Sequence, residues 1–288
     1  MSDSNLFTVV RNRLPPAEHK SPTALLAAGL LFHLGMSSAV ALAQTPAIVE
    51  LQYSADIGAN LLDASHFVRR SDYVIDNTLG RRARVLIAGL PDTANLRDFQ
   101  IDSSHIALFA LDSGFSASGT YFDPADVIAS NDGVFIKAFD AAAAGVPKGV
   151  RCDGVARANG NGALLLSFDT AFKVGGVSIF PADVIAVNGN SFGAKVLDAR
   201  ALGIPANLDI DAIDAMGTNS DLLVSFDTAG VVGGIAFTSS DVMQLHLADA
   251  SWSKRFALRT FSDRWNTANL DGLGTAPVSD FLFDNSFD

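Results

Sequence analysis

One cysteine stands among 288 residues, so no intramolecular disulfide can hold this chain together. Charge is scarce at 18% of residues and leans acidic, with 31 Asp and Glu against 20 Lys and Arg for a net −11. A chain so short of basic residues has little with which to displace counterions from a phosphate backbone, which excludes nucleic acid as a partner class. With 49% hydrophobic residues the chain is also too apolar for a disordered polyelectrolyte. Enzyme signatures are missing: there is no His-Glu-x-x-His pair and no Walker loop, and His66, His105 and His246 are widely separated. The nearest approach to a nucleophile elbow, Gly114 to Ser118, lacks its second glycine and a strand-to-helix setting. No amphipathic helical run of note follows the first fifty residues.

What is present begins with a single long uncharged run, Ser21 to Val49, preceded by Arg11, Arg13 and Lys20. Its apolar centre, Leu25 to Met36, is short, and Ala41-Leu42-Ala43 offers the small-x-small pattern of a signal-peptidase site. Residues 1–43 therefore read as a signal peptide, and residues 44–288 as an exported domain of the periplasm, cell surface or medium. The alternative is an uncleaved anchor, since the uncharged run is long enough to span a bilayer. No later run is, so nothing after residue 43 is expected to cross a membrane.

The exported part is a repeat. LLLSFDT (Leu164 to Thr170) returns as LLVSFDT (Leu222 to Thr228), and steps of about one period link Asp56, Asp112, Asp169, Asp227 and Asp284. Asp126, Asp183 and Asp241 follow the first marker at a constant interval, and in the first unit His66 is expected in that place. Gly89-Leu90-Pro91, Gly145-Val146-Pro147 and Gly203-Ile204-Pro205 form a third marker, each leading into an aspartate: Asp98, Asp153 and Asp211. The last unit lacks Gly-x-Pro but keeps Asp271.

Within each unit, apolar runs are separated by Asn188-Gly189 or Asn131-Asp132-Gly133, residues that tolerate the positive φ of tight hairpin turns. A unit of about 57 residues thus reads as four antiparallel strands, with a loop of about a dozen residues between the second and the third. AFDAAAAG (Ala138 to Gly145) is expected to give one helical turn at most. Such units are blades of an all-β β-propeller or links of a solenoid. The strand count favours a propeller of four blades, because the chain opens on a second strand (Val49 to Ala55) and ends by supplying a first strand (Asn269 to Gly274). That late strand can complete the first blade and close the ring, leaving a surplus second-strand copy at Asp280 to Asp284.

The Gly-x-Pro followed by an aspartate at a strand start, as in GIPANLDIDAI (Gly203 to Ile213), resembles the repeats of hemopexin-type four-bladed propellers. The aromatic-rich third strand and the cysteine pair of that family are absent here. The SFDT and DVI segments are also similar to repeats of uncharacterised exported bacterial proteins. The hemopexin-type resemblance implies an ion in the central channel. First strands line a propeller's channel, so Asp98, Asp153, Asp211 and Asp271 are the candidate ligands for calcium or another divalent cation, which takes six to eight oxygens. The alternative is that each carboxylate accepts backbone N–H groups at a turn.

Asp56, Asp112, Asp169, Asp227 and Asp284, with Asp126, Asp183 and Asp241, recur too regularly for a catalytic role and read as architectural. Arg81, Lys137 and Lys195 on the outer strands discourage edge pairing. Cys152, standing where Ile210 stands in the next unit, reads as a small buried thiol. The last unit departs most from the repeat: Trp252, Arg255, Arg259 and Trp265 form either a protein or glycan site or the seam that closes the ring. The leading functional expectation is an exported, non-enzymatic, monomeric binding or scaffold propeller. Its rivals are a propeller-type hydrolase or lyase with a channel metal, and a structural surface protein.

Overall fold

The computed structural model describes residues 49–58, 67–77, 82–101, 106–158, 162–216, 221–260 and 262–277. The expected signal segment, His66, His105, Arg81 and the surplus strand at Asp280 to Asp284 lie outside the described residues.

The first blade takes β1 (Val49–Ala55), β2 (Asp72–Asn77) and β3 (Arg82–Leu86). The second begins with β4 (Leu96–Ile101) and β5 (Ala107–Leu111), carries a small hairpin of β6 (Phe115–Ala117) and β7 (Thr120–Phe122), and ends with β8 (Val127–Asn131) and β9 (Val134–Phe139). A single turn, α1 (Ala141–Ala144), capped by Asp140 and stopped by Gly145 in the left-handed region, leads to the third blade. That blade runs through β10 (Cys152–Arg157), β11 (Leu164–Phe168), β12 (Phe172–Val174), β13 (Val177–Ile179), β14 (Val184–Asn188) and β15 (Ser191–Leu197). The fourth repeats it with β16 (Ile210–Met216), β17 (Asp221–Phe226), β18 (Gly230–Val232), β19 (Ile235–Phe237), β20 (Asp241–His246) and β21 (Ser251–Ala257). Finally β22 (Leu270–Pro277) joins β1 as the innermost strand of the first blade, giving the order β22-β1-β2-β3. The four sheets form a ring, a four-bladed β-propeller closed by pairing the two ends of the chain.

Sequence dictates this in a direct way. Strands such as LLLSF are buried along their whole length because each sheet is covered on both faces by its neighbours. Four apolar cores result, one between each pair of adjacent blades. The loop expected between second and third strands is itself a hairpin in the last three blades, β6-β7, β12-β13 and β18-β19. The turns of the last two are Gly175-Gly176 and Gly233-Gly234, all four at positive φ, as a two-residue hairpin turn matching strand twist requires.

Candidate functional site

Each innermost strand carries a β-bulge near its start. Leu96 pairs with Leu111 and Asp98 with Ala110, which leaves Arg97 as the extra residue. The same irregularity leaves Asp153 extra in β10, Asp211 in β16 and Asp271 in β22. A bulge turns its extra side chain out of the pleat, here toward the ring axis. The four expected aspartates therefore do not share one layer. Register, not the spacing from Gly-x-Pro, decides equivalence, and Arg97 occupies the position in the second blade that aspartate holds in the other three.

Asp98 lies one residue deeper, in the layer of Gly154, Ala212 and Gly272. Those small residues leave the axis open to its side chain. An added Cβ on Gly272 would come within 2.8 Å of the Phe99 ring, and one on Gly154 within 3.1 Å of Ile213. The Asp98 carboxylate accepts four backbone N–H bonds, one from each inner strand. Oδ1 takes Phe99 at 2.8 Å and Leu273 at 2.9 Å; Oδ2 takes Val155 at 2.6 Å and Ile213 at 2.9 Å. These donors belong to equivalent residues on the free inner edges of the four sheets, groups that would otherwise be stranded. Asp98 is wholly buried, and burial pushes its pKa well above the ordinary carboxylate range, against the pull of the four donors.

A second polar bridge lies further along the inner strands. Gln100 Nε2 donates to Asp214 at 3.2 Å, Gln100 Oε1 accepts the Arg157 N–H at 2.8 Å, and the Thr275 hydroxyl donates to Asp214. The axis is therefore spanned by the chain's own side chains at two successive levels.

The bulge layer gathers charge near the start of the inner strands. Arg97 Nη1 lies 3.1 Å from Asp153 and 3.9 Å from Asp211. Its pKa is raised because burial, which opposes its charge, is outweighed by Asp153, Asp271 and Asp211. The carboxyls respond to burial and to one another. Asp153 is pushed up to about 8 and Asp271 to about 9, by burial first. Asp211, to which the Asn269 amide also donates, is pushed to about 7, and Asp209 beside it to about 9. Arg97 places a guanidinium among these carboxyls, and among the described residues no group of three or more His, Cys, Asp or Glu is arranged to hold a metal ion.

The repeating aspartates are architectural, in two ways. Asp56, Asp169 and Asp227 accept the N–H of Asn269, Arg151 and Asp209 at the entry to the inner strands, while Asp112 accepts from the Asn95 side chain. The third-strand aspartates Asp126, Asp183 and Asp241 are buried and bind Lys137, Lys195 and Lys254 at 2.8, 2.6 and 2.6 Å. In the first blade this place belongs to Asp72, 3.7 Å from Arg84. Asp72 accepts the N–H of Arg69, three residues back, as Asp126, Asp183 and Asp241 accept those of Asp123, Phe180 and Thr238. His66 is thus not the repeat residue; RSDYVI, parallel to PADVI, was the overlooked signal. The outer-strand lysines pair with buried aspartates besides marking an edge.

The four residues of the aromatic and basic candidate patch separate. Trp265 is 2% exposed and packs edge-on against Tyr53 at 5.4 Å in the core between the fourth and first blades, so it belongs to the ring seam. Trp252 sits over Gly233 and Phe226 in the core between the third and fourth blades. The Arg255 guanidinium stands 5.3 Å from the Phe256 ring, and Arg259 reaches Asp241 at 4.0 Å. Cys152 is buried and unreactive, its thiol pKa pushed up by burial. The fourth blade brings together Asp221, His246 and Ser253, which sequence spacing did not connect.

No protein-family model and no curated protein sequence matches the chain. Among solved structures it has distant similarity to β-propeller proteins. Virginiamycin B lyase from Staphylococcus aureus aligns at 12% identity over 71% of this chain and 55% of that one, with a TM-score of 0.31. YCF48 from Cyanidioschyzon merolae aligns at 6% identity over 66% and 52%, with a TM-score of 0.32. A protein of unknown function from Bacteroides caccae aligns at 9% identity over 81% and 100%, with a TM-score of 0.35. The chain spans little more than half the length of the first two.

Proposed function

We propose that this chain is an exported binding scaffold, a rigid ring whose axis is structural and whose rims and outer strands meet its partners. The observation that carries this reading is the Asp98 carboxylate, held by one N–H from every blade. A channel that served a substrate or a metal would keep such donors free for it; here the Asp98 donors are consumed by the fold, and the fourth place in the aspartate layer is filled by Arg97, 3.1 Å from Asp153. The outer surface is less uniform. Val134 and Ile136 on the outer strand β9 are 67% and 61% exposed, whereas Ser191 and Gly193 stand at the matching places of β15. Exposed aliphatic residues on an edge strand suit a protein partner better than a glycan.

The reading is tested by titrating the purified chain with calcium chloride in a calorimeter and following its melting temperature. The scaffold reading expects no saturable heat and no shift. A saturable heat, with a melting temperature several degrees higher, that Asp153→Asn removes would overturn it and restore the channel as the functional site.

A further inference from the structure

The repeat is nearly faithful, so the places where one blade alone acquires chemically active side chains stand out. The fourth blade does so at two points of one sheet, His246 and Ser253, beside Asp221, a place where the first blade also has an acidic residue, Glu50. His246 ends β20, five residues after the repeat aspartate Asp241, where Asn131 and Asn188 stand in the second and third blades. Ser253 pairs with Gln244 across β20-β21, at the place of Ile136, which pairs with Ala129. Asp221 opens β17 beside His246.

Their polar atoms form a line. Asp221 Oδ2 lies 2.9 Å from His246 Nδ1, and His246 Nε2 lies 3.5 Å from Ser253 Oγ. Gln244 Nε2 donates to the same Asp221 oxygen at 2.9 Å, which fixes the carboxylate. The side chains of Asp221 and His246 are 22% and 38% exposed, so the group is held by the sheet yet open to solvent.

From this geometry we propose that Asp221, His246 and Ser253 form a nucleophilic site at the rim of the fourth blade that hydrolyses carboxylic esters. The roles follow from atom types. Asp221 accepts the Nδ1–H of His246 and so leaves the Nε2 lone pair facing Ser253. Ser253 Oγ attacks the ester carbonyl carbon as its proton passes to Nε2. The bond to the leaving alcohol then breaks, and the alcohol oxygen takes that proton. Water attacks the acyl-Ser253, gives a proton to Nε2, and the acid departs as Oγ regains its proton. No metal, oxidant or cofactor enters the balance. The Ser253 to His246 separation is long for a hydrogen bond, as such contacts often are before substrate binds. With Asp221 and Asp249 both near His246, the substrate class is a neutral or cationic ester.

This goes beyond the scaffold reading, which concerns the axis and edge strands, and the two fail independently. The test treats the purified full chain with a fluorophosphonate probe, maps the adduct by mass spectrometry, and follows hydrolysis of p-nitrophenyl butyrate. An adduct on Ser253 is expected, with a pre-steady-state burst of p-nitrophenol. Ser253→Ala and His246→Ala should each lower the rate about a hundredfold, and the double variant should be no worse than either. Absence of a Ser253 adduct on the unaltered chain, or an adduct on a different serine, would overturn the proposal without recourse to any variant. So would an unchanged rate in a Ser253→Ala protein that melts at the original temperature.

Discussion

Asp98 Oδ2 reaches across the ring axis to the Val155 N–H at 2.6 Å, joining the second blade to the third at the level where Gly154 has no side chain to obstruct it. The same carboxylate ties in the other two blades, so one residue satisfies four inner edges. Asp98→Asn keeps the size but sets an NH2 group against backbone donors, losing acceptors where no water can replace them. The expected cost is about 3 to 5 kcal/mol of unfolding free energy, the sum of several buried donors left unpaired. Urea denaturation measures it; a loss below about 1 kcal/mol, the worth of one ordinary hydrogen bond, would show that the axis tolerates an open centre.

The small residues around Asp98 differ in how much they can grow. An added Cβ on Gly154 would strike chiefly the Ser167 hydroxyl at 2.2 Å, which can rotate away, as Ser225 does beside Ala212 by bonding the Leu270 carbonyl. On Gly272 it would meet the Phe99 ring at 2.8 and 2.9 Å, and that ring is wedged against Tyr73. Gly272→Ala should therefore cost about 2 to 3 kcal/mol and Gly154→Ala less than about 1. Equal losses in thermal unfolding would contradict the packing argument.

Buried lysine-to-aspartate pairs make a second contrast. Asp183 Oδ2 accepts from Lys195 and from the Phe180 N–H, and its Oδ1 accepts from the Ala199 N–H. Asp241 holds Lys254 equally close, but its Oδ1 has no hydrogen-bond partner. Removing a cation from a buried carboxylate costs about 3 to 5 kcal/mol when nothing else supports the charge. Asp241 keeps the Thr238 N–H and Arg259 at 4.0 Å, so Lys254→Met should fall short of the top of that range, yet still cost more than Lys195→Met, whose aspartate has both oxygens bonded to backbone N–H groups. Chemical denaturation of the two variants checks the order; the reverse order would mean that the backbone donors contribute little.

The ring itself was legible in the sequence because its signal is redundant. SFDT, DVI and Gly-x-Pro recur in phase, and the orphan strands at the two ends call for each other. The centre was misaligned for a physical reason: a bulge inserts one residue into each inner strand, and only cross-strand pairing says which residue is extra. Counting from Gly-x-Pro placed Asp98 with Asp153, Asp211 and Asp271, while pairing places Arg97 there. Asp72 was missed because Arg84 replaces the lysine and tyrosine follows the aspartate, which blurs the DVI pattern. Asp221, His246 and Ser253 meet only through strand register, which spacing cannot supply. Their one sequence trace is His246 where the repeat sets asparagine.

The carboxyls around the bulge layer give the fold a pH dependence of unusual sign. Asp153, Asp211, Asp271 and Asp209 titrate in the folded ring near 8, 7, 9 and 9, chiefly because burial disfavours their charge. In the unfolded chain an aspartate loses its proton near pH 4. Above about pH 4 and up to those folded values, the native ring binds more protons than the unfolded chain, so stability falls as pH rises. The usual salt-bridged aspartate has a lowered folded value and behaves the opposite way. The melting temperature is therefore expected to be several degrees higher at pH 6 than at pH 9. Asp271→Asn, which fixes a neutral amide where the ring already prefers a neutral acid and removes the carboxylate that ionises on unfolding, should flatten that slope and raise stability at both pH values, by more at pH 9 than at pH 6. Scanning calorimetry across this window decides the matter, and a melting temperature that climbs with pH would mean these four groups are ionised in the folded ring, with Arg97 able to hold their charge.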